Sequence, residues 1–113
     1  MYVSVTGLRL KRFWHMPVFW RHATASMMDA HRAVGNLSAE ARTIDGVHHT
    51  LSTWDSRSDM LTYLKSERHA RAMRRFSGIA KGRVVGGDAP SRPDWDTALA
   101  RYHAEGRDVY QTG

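Results

Sequence analysis

The sequence predicts an α+β domain in which two strand–helix–strand units share a tight central hairpin, with one more helix at the C-terminal end. Three observations carry that expectation. Residues 2–10 alternate apolar and polar positions and are rich in β-branched types, as a half-buried strand is. Asp45-Gly46 separates two alternating segments, 37–44 and 47–54, and Asp-Gly in that setting is a strong signal for a two-residue type I′ turn. Apolar residues at helical spacing lie both before and after the hairpin. The resulting order, β-α-β-β-α-β, is the ferredoxin-like arrangement, and 113 residues suit one such domain.

In the first strand, Gly7 marks a bulge or a close backbone approach. Residues 17–33 read as a helix opened by Pro17, whose fixed φ suits a first turn. Met16, Trp20, Ala23, Met27, Ala30 and Val34 recur at steps of four and three and are expected to form its buried stripe. Gly35-Asn36 stops it. The hairpin turn then sets a register in which Ile44 faces Val47, Arg42 faces His49, Glu40 faces Leu51 and Leu37 faces Trp54. Ser56, with Asp59 three residues on, resembles a capping box and opens the second helix. Met60 and Leu64 share one face of it, and His69, Met73 and Phe76 share a face of the later turns. Lys65-Ser66-Glu67 is where that helix bends or restarts, because serine prefers caps to interiors. Gly78 ends it. Residues 82–87 form a short, glycine-weakened fourth strand. Pro90 and Pro93 make a linker, and 94–104 a helix with Trp95, Leu99 and Tyr102 on one face. The chain therefore divides into a domain over 1–88 and a linker plus helix over 89–113.

Composition narrows the chemistry. With no cysteine there is no disulfide, no thiolate nucleophile and no Cys-based metal site. The start lacks a basic stretch followed by an apolar core, and no apolar run nears the roughly 20 residues that span a bilayer. A cytoplasmic protein with no membrane partner is expected. The net charge of +6 invites a nucleic-acid reading, but the cations are scattered. Only Arg68, Arg71, Arg74 and Arg75 are dense, and their helix also carries core residues, so a solvated basic face is favoured.

The register assigns two faces to the hairpin. One carries Leu37, Ala39, Ala41, Thr43, His48, Thr50, Ser52 and Trp54, small in its middle. Small side chains under covering helices leave space, so a pocket is expected there, lined by Trp20, His48, Thr50 and Trp54. The other face mixes Glu40, Arg42 and His49 with Ile44, Val47 and Leu51, too apolar for water. It is expected to meet a second copy, with Glu40, Arg42, His49 and Leu51 in a homodimer interface and Arg42 paired with Glu40 or a partner carboxylate.

Seven histidines invite a metal, but no pair has the i, i+4 spacing with an intervening glutamate, and His48 and His49 point to opposite faces. No metal is expected. There is no Gly-rich phosphate loop, no nucleophile elbow and no acid pair, so no cofactor is expected either. His69 and His22, both beside apolar stripes, are the candidate catalytic bases. The aromatic-dense stretch from Arg12 to Trp20 serves either as core and dimer contact or as the mouth of a pocket for a flat apolar ligand.

The segment from Leu51 through Trp54-Asp55, Met60, Leu64 and Ser66 to His69 resembles the strand-to-helix segment of the antibiotic biosynthesis monooxygenase-like proteins: a strand ending in Trp and an acid, a short helix, then Ser-x-x-His. Val3-Ser4-Val5-Thr6 and Gly35-Asn36-Leu37 fit as well, so the resemblance covers about 2–86. It is nearest the branch similar to spheroidene monooxygenase. The resemblance implies a dimeric α/β barrel with a small-molecule pocket between sheet and helices. Some members are cofactor-free oxygenases of aromatic substrates, and others degrade haem with an Asn, a Trp and a His. Aligned on Trp54, this chain has Thr6 or Gly7, Tyr63 and Met73 at those three places, so haem chemistry does not carry over. Three functions follow in order: a cofactor-independent monooxygenase, a non-catalytic small-ligand-binding barrel, and a binder of polyanions or nucleic acid.

Overall fold

A computed structural model describes residues 1–109; the last four residues of the expected C-terminal segment lie outside the described residues. The central strand is β1 (Tyr2–Leu10), with β3 (Val47–Trp54) antiparallel on one side and β4 (Ala80–Asp88) on the other. β2 (Asn36–Ile44) flanks β3, and a three-residue β5 (Arg107–Val109) flanks β4, giving the order β2-β3-β1-β4-β5. The first four strands and the helices between them have the expected ferredoxin-like α+β order.

The hairpin turn is left-handed at both central residues, Asp45 at φ 51° and Gly46 at φ 78°. Ile44 faces Val47, Arg42 faces His49 and Glu40 faces Leu51, as the turn requires. The far end departs from expectation: an irregularity between Asn36 and Ser38 sets Asn36, not Leu37, opposite Trp54. The Asn36 side-chain amide donates to the Ser38 and Thr53 carbonyls, which holds the extra residue in place and leaves Leu37 half exposed.

Helix α1 (Met16–Arg32) follows a 3-10 turn, Phe13–His15. Its buried residues are Phe19 and Ala30, flanked by Val18 and Ala23, rather than the whole of the expected stripe. Met16, Trp20 and Val34 remain 36%, 44% and 84% exposed. The cause is a second neighbour. The helix meets another helix as well as the sheet, and Phe19 turns onto Phe76 with ring centres 5.4 Å apart. That choice rotates the Trp20 side away from the core.

The helix after the hairpin breaks where serine demands it. Helix α2 (Arg57–Leu64) is capped by Ser56, whose Oγ accepts from the Asp59 amide, and α3 (Glu67–Ile79) restarts at Ser66, whose Oγ accepts from the His69 amide. Helices α1 to α3 share one side of the sheet.

The opposite side belongs to α4 (Trp95–Glu105), capped by Asp94. Ala98 and Tyr102 bury against Val3, Val5 and Leu51. Glu40 accepts from Arg92 at 2.8 Å and from the Trp95 indole at 3.2 Å, while the Arg42 guanidinium stacks 4.9 Å above the Trp95 ring. His49 meets Tyr102 edge-on at 5.0 Å. Gly7 is therefore a close approach without a bulge: the Tyr102 hydroxyl fills the place of a Cβ. The mixed-polarity face is covered, as its composition demands, but within one chain. Glu40 takes Arg92 as its ion-pair partner, so the expected Arg42–Glu40 pair does not form.

Two glycines should respond oppositely to alanine. Gly46→Ala forces a side chain into left-handed backbone and should cost about 1–2 kcal/mol. Gly78, expected to end the helix, lies inside α3, which runs on to Ile79 and is capped by Ala80; with open space around its Cβ, Gly78→Ala should gain about 0.5–1 kcal/mol. Urea denaturation of both variants checks the signs; equal shifts would contradict the turn geometry.

Candidate active site

The helix-side face of the sheet is small in its middle: Ser4 and Thr6 on β1 stand beside Thr50 and Ser52 on β3. Helices laid over small residues cannot touch them everywhere, and a cavity of about 890 Å³ remains between sheet and helices. Phe19, Trp20 and Met27 of α1, Tyr63 of α2 and Met73 of α3 form much of its wall.

One wall is a row of rings. Trp54 is buried to 1% exposure at the end of β3, and its Nε1 donates to Ser52 Oγ at 3.0 Å. Tyr63 lies 5.3 Å from it and His69 lies 4.8 Å beyond Tyr63, centre to centre. The Tyr63 hydroxyl donates to the Ser26 carbonyl at 2.8 Å, tying α2 to α1. Burial, with nearby Asp29 adding to it, pushes that hydroxyl up to about 12, so it stays protonated.

His69 is placed by its neighbours. Its Nδ1 is 3.2 Å from the Leu64 carbonyl, which only accepts, so Nδ1 carries the proton and the neutral ring keeps Nε2 as a free acceptor. Burial holds the ring below its ordinary 6.5, and the Leu64 bond only partly offsets that. His69 is therefore neutral near pH 7. At the other end, His48 packs 4.5 Å from Phe19 and 5.3 Å from Trp20, with Thr43 Oγ1 2.9 Å from its Nδ1. Burial first, then adjacent His49, lowers its pKa too.

The structure brings together Trp20, His48, Thr50, Trp54 and His69 around one cavity. His22 is not among the lining residues; its ring stands edge-on to Phe76 at 6.1 Å. Glu40, Arg42, His49 and Leu51 are engaged by α4 or the loop before it. Phe19 and Tyr63 also line the cavity, though the sequence placed Phe19 only within the aromatic stretch from Arg12 to Trp20 and Tyr63 only at the aligned haem-family position, neither as an expected pocket residue. Phe19 offered a signal, since Phe19, Ala23 and Ala30 also repeat at helical steps. Tyr63 offered one only through the resemblance, which sets it where the haem-degrading members have a Trp. Among the described residues, no three His, Asp or Glu side chains come together as metal ligands would.

No family model matches the chain, and no curated protein matches it by sequence. Solved structures do match. A Deinococcus radiodurans protein described as a "putative antibiotic biosynthesis monooxygenase" superposes with a TM-score of 0.74 at 14% identity, over 83% of this chain and 97% of its own. The chain has the antibiotic biosynthesis monooxygenase-like fold. A Nitrosomonas europaea protein described in the same terms gives a TM-score of 0.72 at 11% identity, over 80% of this chain and all of its own. SnoaB from Streptomyces nogalater, described as a cofactor-independent oxygenase, gives 0.66 at 10% identity, over 80% of this chain and 93% of its own. At such identities the monooxygenase-like likeness concerns the fold alone. The narrower branch rests on the sequence resemblance.

The lowered histidines set a pH dependence. His48, His49 and His69 all bind a proton less readily in the folded chain. The unfolded chain takes up more protons as pH falls through 6.5, so stability drops from there down to the folded values and then levels off. The urea midpoint should fall between about pH 7.5 and about pH 5.5, and fall less in His69→Gln. A midpoint that rises on acidification would contradict the burial of these rings.

Proposed function

We propose that the cavity binds a small aromatic or apolar molecule and that the chain oxidises it with dioxygen, without a cofactor, as a monooxygenase. The observation that carries this reading is His69, a neutral ring at the cavity wall whose Nδ1–H is engaged by Leu64 and whose Nε2 is left to accept a proton. The flat faces of Trp54 and Tyr63 beside it suit an aromatic ligand. A phenol or enol would give its O–H proton to Nε2 and become an electron-rich anion able to reduce dioxygen. For a phenol with a free para C–H, one oxygen atom becomes the second quinone carbonyl. The other leaves as water, carrying the two hydrogens lost by the substrate, so the balance closes without an outside reductant. The fold shared with a cofactor-independent oxygenase supports the same reading.

A non-catalytic binding barrel is favoured by a different observation. The polar atoms of Trp54 and Tyr63 are both used internally, by Ser52 and the Ser26 carbonyl, which leaves their faces as plain apolar wall. Saturable binding without oxygen uptake would favour this barrel.

Pairing and location belong to the proposal as well. The homodimer rests on the resemblance. Weighing against pairing through Glu40, Arg42, His49 and Leu51 is α4, which already covers them. A cytoplasmic location rests on composition. Sedimentation of the whole chain measures the pairing directly.

The test of the reaction is oxygen uptake against a panel of phenols and quinols. With an active substrate, His69→Ala should lose about a hundredfold or more in rate, whereas His22→Ala should leave the rate near that of the unaltered chain. Unchanged turnover in His69→Ala would remove the assigned base.

A further inference from the structure

We propose that the 3-10 turn Phe13–His15, with the cations around it, is a docking surface for an anionic phospholipid bilayer. Phe13 is 83% exposed, Trp14 60% and Met16 36%, and no residue of the turn is buried. The two rings meet edge to face at 5.4 Å and still stand in solvent. Single exposed apolar residues are ordinary, but two aromatic rings on one turn followed at once by an exposed methionine are not.

The charge around them is one-sided. A hollow of about 650 Å³ beside the turn is lined by Arg9, Lys11, Arg12 and Lys81 together with Trp14 and His15, and no acid takes part. Elsewhere on the molecule Arg68, Arg71, Arg83, Arg92 and Arg101 each find a carboxylate. Among the described residues, these four cations enter no such ion pair, as is true also of Arg21, Arg32, Arg42, Arg57, Lys65, Arg74, Arg75 and Arg107; what sets the four apart is that they share one hollow beside exposed aromatic rings. Arg9 and Lys11 donate to the backbone carbonyls of Asp45 and Ser77, and Arg12 lies 5.9 Å from the Trp14 ring centre. Indole prefers the headgroup level of a bilayer, phenyl and thioether sit just beneath, and lysine and arginine meet the lipid phosphates. The turn and its flanks supply each of these groups. A nucleic-acid strand would ask instead for cations strung along an extended groove with stacking rings at intervals; here they line one short hollow beside a single aromatic turn.

The surface also leads to the cavity. Met16 and Trp20 are four residues apart and share one face of α1. Trp20 is 44% exposed yet lines the cavity, so it stands at an opening. An apolar ligand leaving the bilayer at the turn would enter along the helix face that carries Met16 and Trp20. This last step rests on the proposed ligand-binding role; the docking itself does not. Among the described residues no helix is long and apolar enough to cross a membrane, so the contact is peripheral. Such contact departs from the expectation of no membrane partner, which rested on the lack of a basic leader and of a spanning apolar run; the exposure of Phe13 and Trp14 is what argues against it.

The test is co-sedimentation of the whole chain with vesicles of phosphatidylcholine alone and with about a third phosphatidylglycerol added. Binding to the anionic vesicles should exceed that to neutral ones by about tenfold or more and weaken with salt. Phe13→Ser/Trp14→Ser and Lys11→Glu/Arg12→Glu should each reduce it about tenfold or more, with circular dichroism unchanged. Absence of binding to anionic vesicles at low salt would overturn the proposal. So would equal binding to both vesicle types, or binding unaffected by either variant. Displacement from vesicles by a single-stranded RNA oligomer, sensitive to the same substitutions, would assign the surface to nucleic acid instead. Vesicle binding with no oxygen uptake would leave the docking standing and count against the monooxygenase reading alone.

Discussion

The left-handed backbone at Asp45 and Gly46 decides which side chains of β2 and β3 look toward the helices. A shift of one residue would exchange the two faces, putting Glu40, Arg42 and Leu51 under α1 and sending Thr50, Ser52 and Trp54 to the other side. The cavity would then close around bulk and charge. Because the turn holds, the residues beneath the helices are small or hydroxylated in the middle and aromatic toward the ends. The cavity is a consequence of that distribution, and so is the placing of Trp54 beside Tyr63 and His69.

The second face shows the same constraint from the other side. Its charges and apolar residues cannot share water comfortably, and α4 settles the conflict by bringing an aromatic residue that is also a hydrogen-bond donor. Trp95 serves Glu40 through its indole N–H and Arg42 through its ring, while Ala98 and Tyr102 cover Leu51. A terminal helix thereby becomes part of the sheet's support. Its last residues continue into β5, which pairs with β4.

Much of this was legible in the sequence, and the limits have physical causes. The Asp-Gly turn, the Ser56 cap and the Ser66 restart were readable because each is set by local backbone chemistry. The pocket residues Trp20, His48, Thr50, Trp54 and His69 followed from period and register. The irregularity at Leu37 was not legible, since it depends on Asn36 reaching the carbonyls of Ser38 and Thr53. The rotation of α1 depends on Phe76, more than fifty residues away, and so does the position of His22. The cover over Glu40 was rightly demanded by composition, but a single sequence cannot say whether a twin chain or the chain's own α4 supplies it.

The most direct measurement of the central claim, that a small-residue sheet face leaves an occupiable cavity under the helices, is a binding titration with 2-naphthol followed by tryptophan fluorescence. Trp54 and Trp20 both line that space and report on its contents. Saturable binding to the unaltered chain, lost in a folded Thr50→Phe variant whose ring fills the floor, is the predicted result. Equal binding by the two proteins would show that the ligand sits elsewhere and that the cavity is not the site.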